Sequence, residues 1–192
     1  MGADIFASFQ YEGYSFTSQT VSELSAIGAP TKSLLAFTGL IYEVLLFLFG
    51  IGVLLAANQK RGLRFTGILI MIHVILATVS IFFPMNLREA EKTLSDTMHV
   101  ILYTAIPIII LLIIGFGSAA NGKWFRIYSI VTILILILFG ILTGMAAPKI
   151  AAGLPTPWAG LYERINIYGY MVWIILLAMV LFRVPWGSGL DS

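Results

Sequence analysis

The chain contains no cysteine, which excludes structural disulfides, thiolate metal sites and a thiol nucleophile. Histidine occurs only twice, at His73 and His99. Charged residues make up 10% of the 192 positions, and the formal net charge is +2. With no cluster of bases along the chain, a nucleic-acid partner is excluded as well. There is no HExxH pair, no phosphate-cradling glycine loop and no pair of intramembrane aspartates, so those chemistries lack their side chains. The N-terminus has no basic stretch leading into a short apolar one, and is not read as a cleavable signal peptide. Phe6 stands where an N-myristoylation motif needs Ser or Thr.

What the chain has in abundance is hydrocarbon. Hydrophobic residues reach 59% and the mean hydropathy is +0.98. Five apolar runs, at about 34–57, 65–84, 97–118, 124–144 and 162–183, each match the roughly 20 residues needed to cross a hydrocarbon core as a helix. The pattern predicts an all-α integral membrane protein, a bundle of five transmembrane helices over 34–184. An extracytoplasmic N-terminal segment at 1–33 and a cytoplasmic tail at 185–192 complete the expected organisation.

Loop charge sets the expected orientation. Lys60, Arg61 and Arg64 lie between the first two spans, Lys123 and Arg126 between the third and fourth, and Arg183 after the fifth. Those segments carry no acid except Asp191. The other side holds Asp4, Glu12, Glu23, Glu89, Glu91, Asp96 and Glu163, with bases among them. By the positive-inside rule the N-terminus lies outside and the C-terminus inside. Trp124 and Trp186 then fall at the inner interface and Trp158 near the outer one, where indole rings anchor.

Against this background the polar opening, from Tyr14 to Thr31, stands out for its serines and threonines and for Glu23. Thr20 followed by Glu23 fits a capping box, and Val21, Leu24 and Ile27 recur at helical spacing. Gly28 is placed to end the helix in a left-handed cap, with Pro30 preventing its resumption. A short interfacial helix near 20–27 is therefore predicted, lying over the outer ends of the third and fifth spans. The loop at 85–96 reads as charged and solvated, with Ser95 or Asp96 capping the third span. The loop at 145–161, with Pro148, Pro155 and Pro157, reads as extended. Pro107 predicts a kink inside the third span. Gly140 and Gly144 allow close helix approach and leave a homo-oligomer open.

Glu43 is the most expensive residue in the chain. It lies nine residues into the first span, roughly 13 Å below the boundary at the helical rise, where a carboxylate must be protonated or paired. His73 lies at about 16 Å depth in the adjoining span by the same rise, so a Glu43–His73 hydrogen bond is expected. Nearer the surface, Asp96, His99 and Tyr103 share one helix face, and Glu163, Asn166 and Tyr170 repeat that spacing beside Arg164. Converging beneath Ser22 and Glu23, these residues would line a polar outer vestibule. A bis-His haem is excluded because the two histidines sit at depths about 10 Å apart. One histidine with two acids and no thiolate is a poor metal site, and no metal or cofactor is expected.

The segment Ser22-Glu-Leu-Ser-Ala-Ile-Gly-Ala-Pro-Thr31, His99, Gly160-Leu-Tyr-Glu-Arg-Ile165 and Trp173 together resemble a prokaryotic membrane family catalogued as domain of unknown function 998. The resemblance covers nearly the whole chain and implies a multi-pass protein of the cytoplasmic (inner) membrane. The family pattern is six helices, with one ahead of the Ser-Glu-Leu motif. Here Ile5, Phe6, Ala7 and Phe9 read as the stub of that helix, which leaves two readings, a chain that begins late or a five-span variant. The family has no established activity, so function rests on the residues. The expected function is a non-enzymatic binder, sensor or conduit for a lipid or small polar ligand. Its ligand-binding residues would be Ser22, Glu23, Glu43, His73, Asp96, His99, Tyr103, Glu163, Arg164 and Asn166. One alternative is a membrane-interface hydrolase or transferase using His99 as base and Ser22 as nucleophile. The other is an assembly partner with no chemistry, in contact only with membrane lipids and neighbouring proteins.

Overall fold

The structure, a computed structural model, describes residues 1–88, 90–119 and 122–182. Glu89, Arg183, Trp186, Asp191 and the tail at 185–192, which entered the orientation argument, lie outside the described residues. Among the described residues seven helices follow one another: α1 (Gly2–Gln10), α2 (Val21–Leu24), α3 (Lys32–Ala56), α4 (Arg61–Ser80), α5 (Leu94–Gly117), α6 (Gly122–Ala151) and α7 (Ala159–Phe182). The last five are each long and apolar enough to cross a membrane. The chain is a membrane-spanning helical bundle, as its composition predicts.

Short links make successive spans antiparallel neighbours. α3, α4 and α5 pack in series, and α6 pairs with α7. The α3–α4 link turns at Asn58, whose φ of 48° lies in the left-handed region that a short polar side chain tolerates. Val53, Ile70, Ile113, Ile114 and Leu177 are fully buried around Trp173. The Trp173 indole N–H donates to Ser129 Oγ at 2.9 Å, which joins α7 to α6 and satisfies a donor that has no access to water. Two glycines set the spacing. A Cβ at Gly67 would lie 2.6 Å from Leu54 Cγ, and one at Gly117 would lie 2.9 Å from Trp173 Cζ2. By contrast, Gly140 and Gly144 face open space, so that pair does not bring any described helix of this chain close.

Several boundaries differ from the sequence reading. The fourth span does not give way to an extended loop at Met145. α6 runs through Pro148 to Ala151 and ends in a Schellman cap: Gly153 takes a φ of 68°, and the Leu154 and Gly153 amides donate to the Lys149 and Ile150 carbonyls. Pro148 removes one donor, yet the helix ends where a residue can adopt positive φ. α2 is shorter than expected, and its buried face is set by Ser22 and Glu23 together with Leu24. Its capping box of Thr20 and Glu23 is present, but Ser22, Glu23 and Leu24 are buried while Ile27 is 41% exposed. Leu24 keeps its place inside, while Ile27 yields to Ser22 and Glu23, whose side chains have partners there.

The loop at 85–96 is not simply solvated. Asn86 is buried and its side-chain amide donates to Asp96 Oδ2 at 2.7 Å. The α5 cap is Thr93, not Ser95 or Asp96, with Asp96 as the acidic partner of the box. The Ile27 amide donates to the Met85 carbonyl at 2.8 Å, fastening this loop to the segment after α2.

The glycine spacing gives a direct test. Gly67→Ala should lower stability by about 1–3 kcal/mol through overpacking, whereas Gly140→Ala should change it by no more than about 0.5 kcal/mol. Thermal unfolding of the two variants in one detergent reads the difference.

Candidate functional site

Arg164 is 1% exposed and fastens the N-terminal segment to α7. Its Nε donates to Asp4 Oδ2 at 3.2 Å. Nη1 donates to the carbonyls of Phe16, Gln19 and Gly160 at 2.6, 3.2 and 3.1 Å. Nη2 donates to the Tyr14 hydroxyl at 2.9 Å, and the guanidinium stacks 3.7 Å from the centre of the Phe16 ring. Residues 11–20 thus form a strap across the end of the bundle. Gly160 permits the approach, since a Cβ there would collide with the Gln19 and Phe16 carbonyls. Burial pushes the Tyr14 phenol up to about 12, against the opposing pull of Arg164.

One position earlier, Glu163 holds α2. It accepts from the Ser22 hydroxyl at 2.7 Å and from the Val21 amide. Glu23, 1% exposed, receives Arg88 as a fork: Nε donates to Oε1 at 2.6 Å and Nη2 to Oε2 at 3.0 Å. Arg88 also donates to the carbonyls of Leu154 and Ser18 and to the Thr156 hydroxyl. Burial alone would raise the Glu23 carboxyl, but hydrogen bonds from Arg88 and from the Thr20 amide and hydroxyl outweigh it, and the group is held below the ordinary carboxylate range.

The remaining predicted residues at this end have other partners. Asp96 is tied to Asn86 and Thr93. The Asn166 amide donates to its own helix at the Tyr162 carbonyl. His99 Nδ1 lies 3.1 Å from the Phe83 carbonyl; a carbonyl only accepts, so Nδ1 carries the proton. The imidazole stacks on Tyr103, with ring centres 4.0 Å apart. Ser22 has Glu163 as partner and is not hydrogen-bonded to His99. Tyr103 itself is 43% exposed.

Deeper in the bundle the expected Glu43–His73 bond is not formed. Gly50 packs on Ile70, and Gly67 on Leu54, a register that sets Glu43 level with Ala77 and Thr78. His73 therefore lies about one helical turn, roughly 6 Å, further toward the basic end. Glu43 Oε2, His73 Nδ1 and the hydroxyls of Tyr42 and Tyr170 are all buried without a hydrogen-bond partner. Asp4 Oδ1 is the other such atom among the described residues. The His73 and Tyr170 rings meet edge-on at 5.4 Å, and Tyr42 and Glu43 are consecutive residues of α3. Native interiors leave few polar atoms unsatisfied, so these four are the polar groups of the bundle that its own packing does not account for. Sequence reasoning found Glu43 and His73 from the cost of burying them. It missed Tyr42, because a tyrosine in an apolar run carries no such cost signal. Arg88, Asp4 and Tyr14 were missed because each lies in a segment that reads as loop or tail.

Arg88→Gln should lower stability by about 3 kcal/mol, because it leaves the Glu23 carboxylate buried and unpaired. A carboxyl whose folded pKa is depressed stabilises the fold above its unfolded value, and that stability is lost as pH falls through the folded value. The unfolding temperature of the wild type should therefore fall with acidification below the ordinary carboxylate range. That of Arg88→Gln should start lower and depend less on acid.

No curated protein and no solved structure matches the chain. A family model, that of protein of unknown function (DUF998), matches residues 1–180. The match takes in the strap, its Arg164 and Glu163 anchors and the buried cluster around Tyr170. The chain therefore belongs to the DUF998 family of proteins of unknown function.

Proposed function

We propose that the protein is a non-enzymatic membrane binder or conduit for a small polar ligand, held at the cluster of Tyr42, Glu43, His73 and Tyr170 beneath the strap. The observation that carries this reading is the set of four buried polar atoms without partners. A purely structural network satisfies its own donors and acceptors, since an unmatched buried group costs about 1–3 kcal/mol. Intramembrane ionisable groups that persist at such cost belong, as a rule, to ligand or ion pathways.

The polar groups at the strap end support a closure rather than an open vestibule. Glu163, Glu23, Arg88 and Arg164 are all engaged with one another's segments, so a ligand passes this end only when the strap loosens. The ligand is small, because Glu43, His73 and Tyr170 are 8%, 5% and 4% exposed and face other helices rather than lipid. The hydrolase or transferase alternative loses support, because its nucleophile and base have separate partners. In the orientation given by loop charge, the strap faces the outside of a prokaryotic cytoplasmic membrane.

The absence of native cysteine makes single-cysteine labelling a clean test. Tyr42→Cys and Tyr170→Cys should react with a small membrane-impermeant thiol reagent roughly tenfold or more faster than the lipid-facing Leu134→Cys, since a thiol reacts only where it can ionise. Glu12→Cys on the strap side serves as the exposed reference, and its labelling in intact cells checks the orientation. If the two tyrosine positions are as inert as Leu134→Cys, nothing polar reaches the cluster and the reading fails.

A further inference from the structure

We propose that the groove between α6 and α7 at the basic end of the bundle binds an anionic phospholipid, with its phosphate against Lys123 and its upper acyl chains between the two helices. This site lies at the opposite end from the strap and does not depend on the Glu43 cluster.

The groove has a volume of about 470 Å³, within the range of cavities that hold small molecules. Lys123, Trp124 and Tyr128 line it from α6, and Leu176, Met179 and Val180 from α7. Its floor is fixed. Phe125 is buried there with its ring 5.8 Å from that of Trp173, whose N–H is in turn held by Ser129. Its walls are open: Trp124 and Met179 are 82% and 52% exposed, so the groove faces the lipid rather than the bundle interior.

The groups along the groove change with depth as those of a phospholipid do. Lys123 stands at the mouth, and no carboxylate among the described residues pairs with it. Its aliphatic stem can lie on the groove wall while the ammonium reaches the plane of the headgroups. Trp124 beside it is a residue type that settles at that interface. Tyr128 follows five residues on, about 8 Å deeper by the helical rise, at the level of the ester carbonyls rather than the phosphate. Its hydroxyl is engaged by no group among the described residues and can donate to such a carbonyl. Leu176, Met179 and Val180 complete the other wall with apolar side chains, which suit acyl methylenes.

Charge decides between headgroups. The basic end carries Lys60, Arg61, Arg64, Lys123 and Arg126 and, among the described residues, no acid. A headgroup of net negative charge gains from that field, whereas a zwitterionic one sets its own cation against it. A free anion would leave the apolar walls unused, and an uncharged apolar molecule would leave Lys123 unused. Arg126, at the same end, projects from the face of α6 opposite Trp124 and Tyr128 by the helical repeat, and so takes no part in the groove.

The test is native mass spectrometry of the full chain, released from detergent after exposure to equal amounts of dioleoyl phosphatidylglycerol and dioleoyl phosphatidylcholine. These lipids share their chains and differ in headgroup charge. The wild type should retain one phosphatidylglycerol with a preference of roughly fivefold or more, as one close cation supplies. Lys123→Gln should lose most of that preference. Arg126→Gln removes the same charge from the far side of a helix about 10–12 Å across, beyond the Debye length of roughly 8 Å, and should change the preference less than about twofold. Met179→Trp fills an exposed part of the groove, leaves every charge in place, and should reduce retention of both lipids. Glycerol phosphate, a headgroup without chains, should not displace the bound lipid. Equal retention of the two lipids overturns the proposal, as does an equal effect of Lys123→Gln and Arg126→Gln, which would mean attraction to the basic end without a site. So does wild-type retention by Met179→Trp. Displacement by glycerol phosphate would overturn the lipid assignment in favour of a free organic phosphate.

Discussion

The N-terminal segment of this protein, α1 and the strap, depends on one buried guanidinium. Arg164 sits inside the bundle end at 1% exposure, where an unsatisfied charge would cost several kcal/mol. The cost is offset because nearly every donor of the side chain has an acceptor and its face lies on an aromatic ring. Most of those acceptors are backbone carbonyls, so the arginine grips the path of the chain rather than particular side chains. α1, the strap and α7 are held by the same group. Without it, nothing in the apolar content of residues 11–20 would keep them in place.

The second ion pair, Arg88 with Glu23, works on the same physical terms from the opposite side. It draws the α4–α5 loop under the strap and brings in Thr156 from the α6–α7 loop. Four separate stretches of sequence thus close over one end of the bundle by charge-assisted hydrogen bonds. The body of the bundle is held differently, by close glycine contacts and dispersion around Trp173. The two regimes meet at the Glu43 cluster, which has polar groups like the strap but not their pairing.

Most of the fold was legible in the sequence because spans are set by length and hydropathy alone. The capping box at Thr20 and Glu23 and the positive φ of Gly28 were legible for the same local reason. What escaped was everything decided by distant partners. Val21, Leu24 and Ile27 carry a valid helical spacing, yet Ile27 turned outward because Ser22 and Glu23 had Glu163 and Arg88 to meet. Arg88 looked like an ordinary loop base, and only its burial among carbonyls reveals its role. Glu43 and His73 were legible as costly residues. Their failure to bond follows from a helix register that no periodicity could supply. Residue types announced that polar groups lay in the membrane; the packing of Gly50 and Gly67 decided which of them could touch.

The Arg164 grip also constrains how the molecule comes to exist. Its partners Asp4 and Phe16 are synthesised well before the arginine, about 150 residues earlier in the chain. Synthesis runs from the N-terminus, so the strap has nothing to hold it while the first four spans enter the bilayer. Glu43 likewise enters before Tyr170 exists, with only lipid, water and α4 for company. Biogenesis therefore passes through an open intermediate whose costly carboxyl is still uncovered, and insertion of α7 is the event that both roofs the bundle and completes its polar interior.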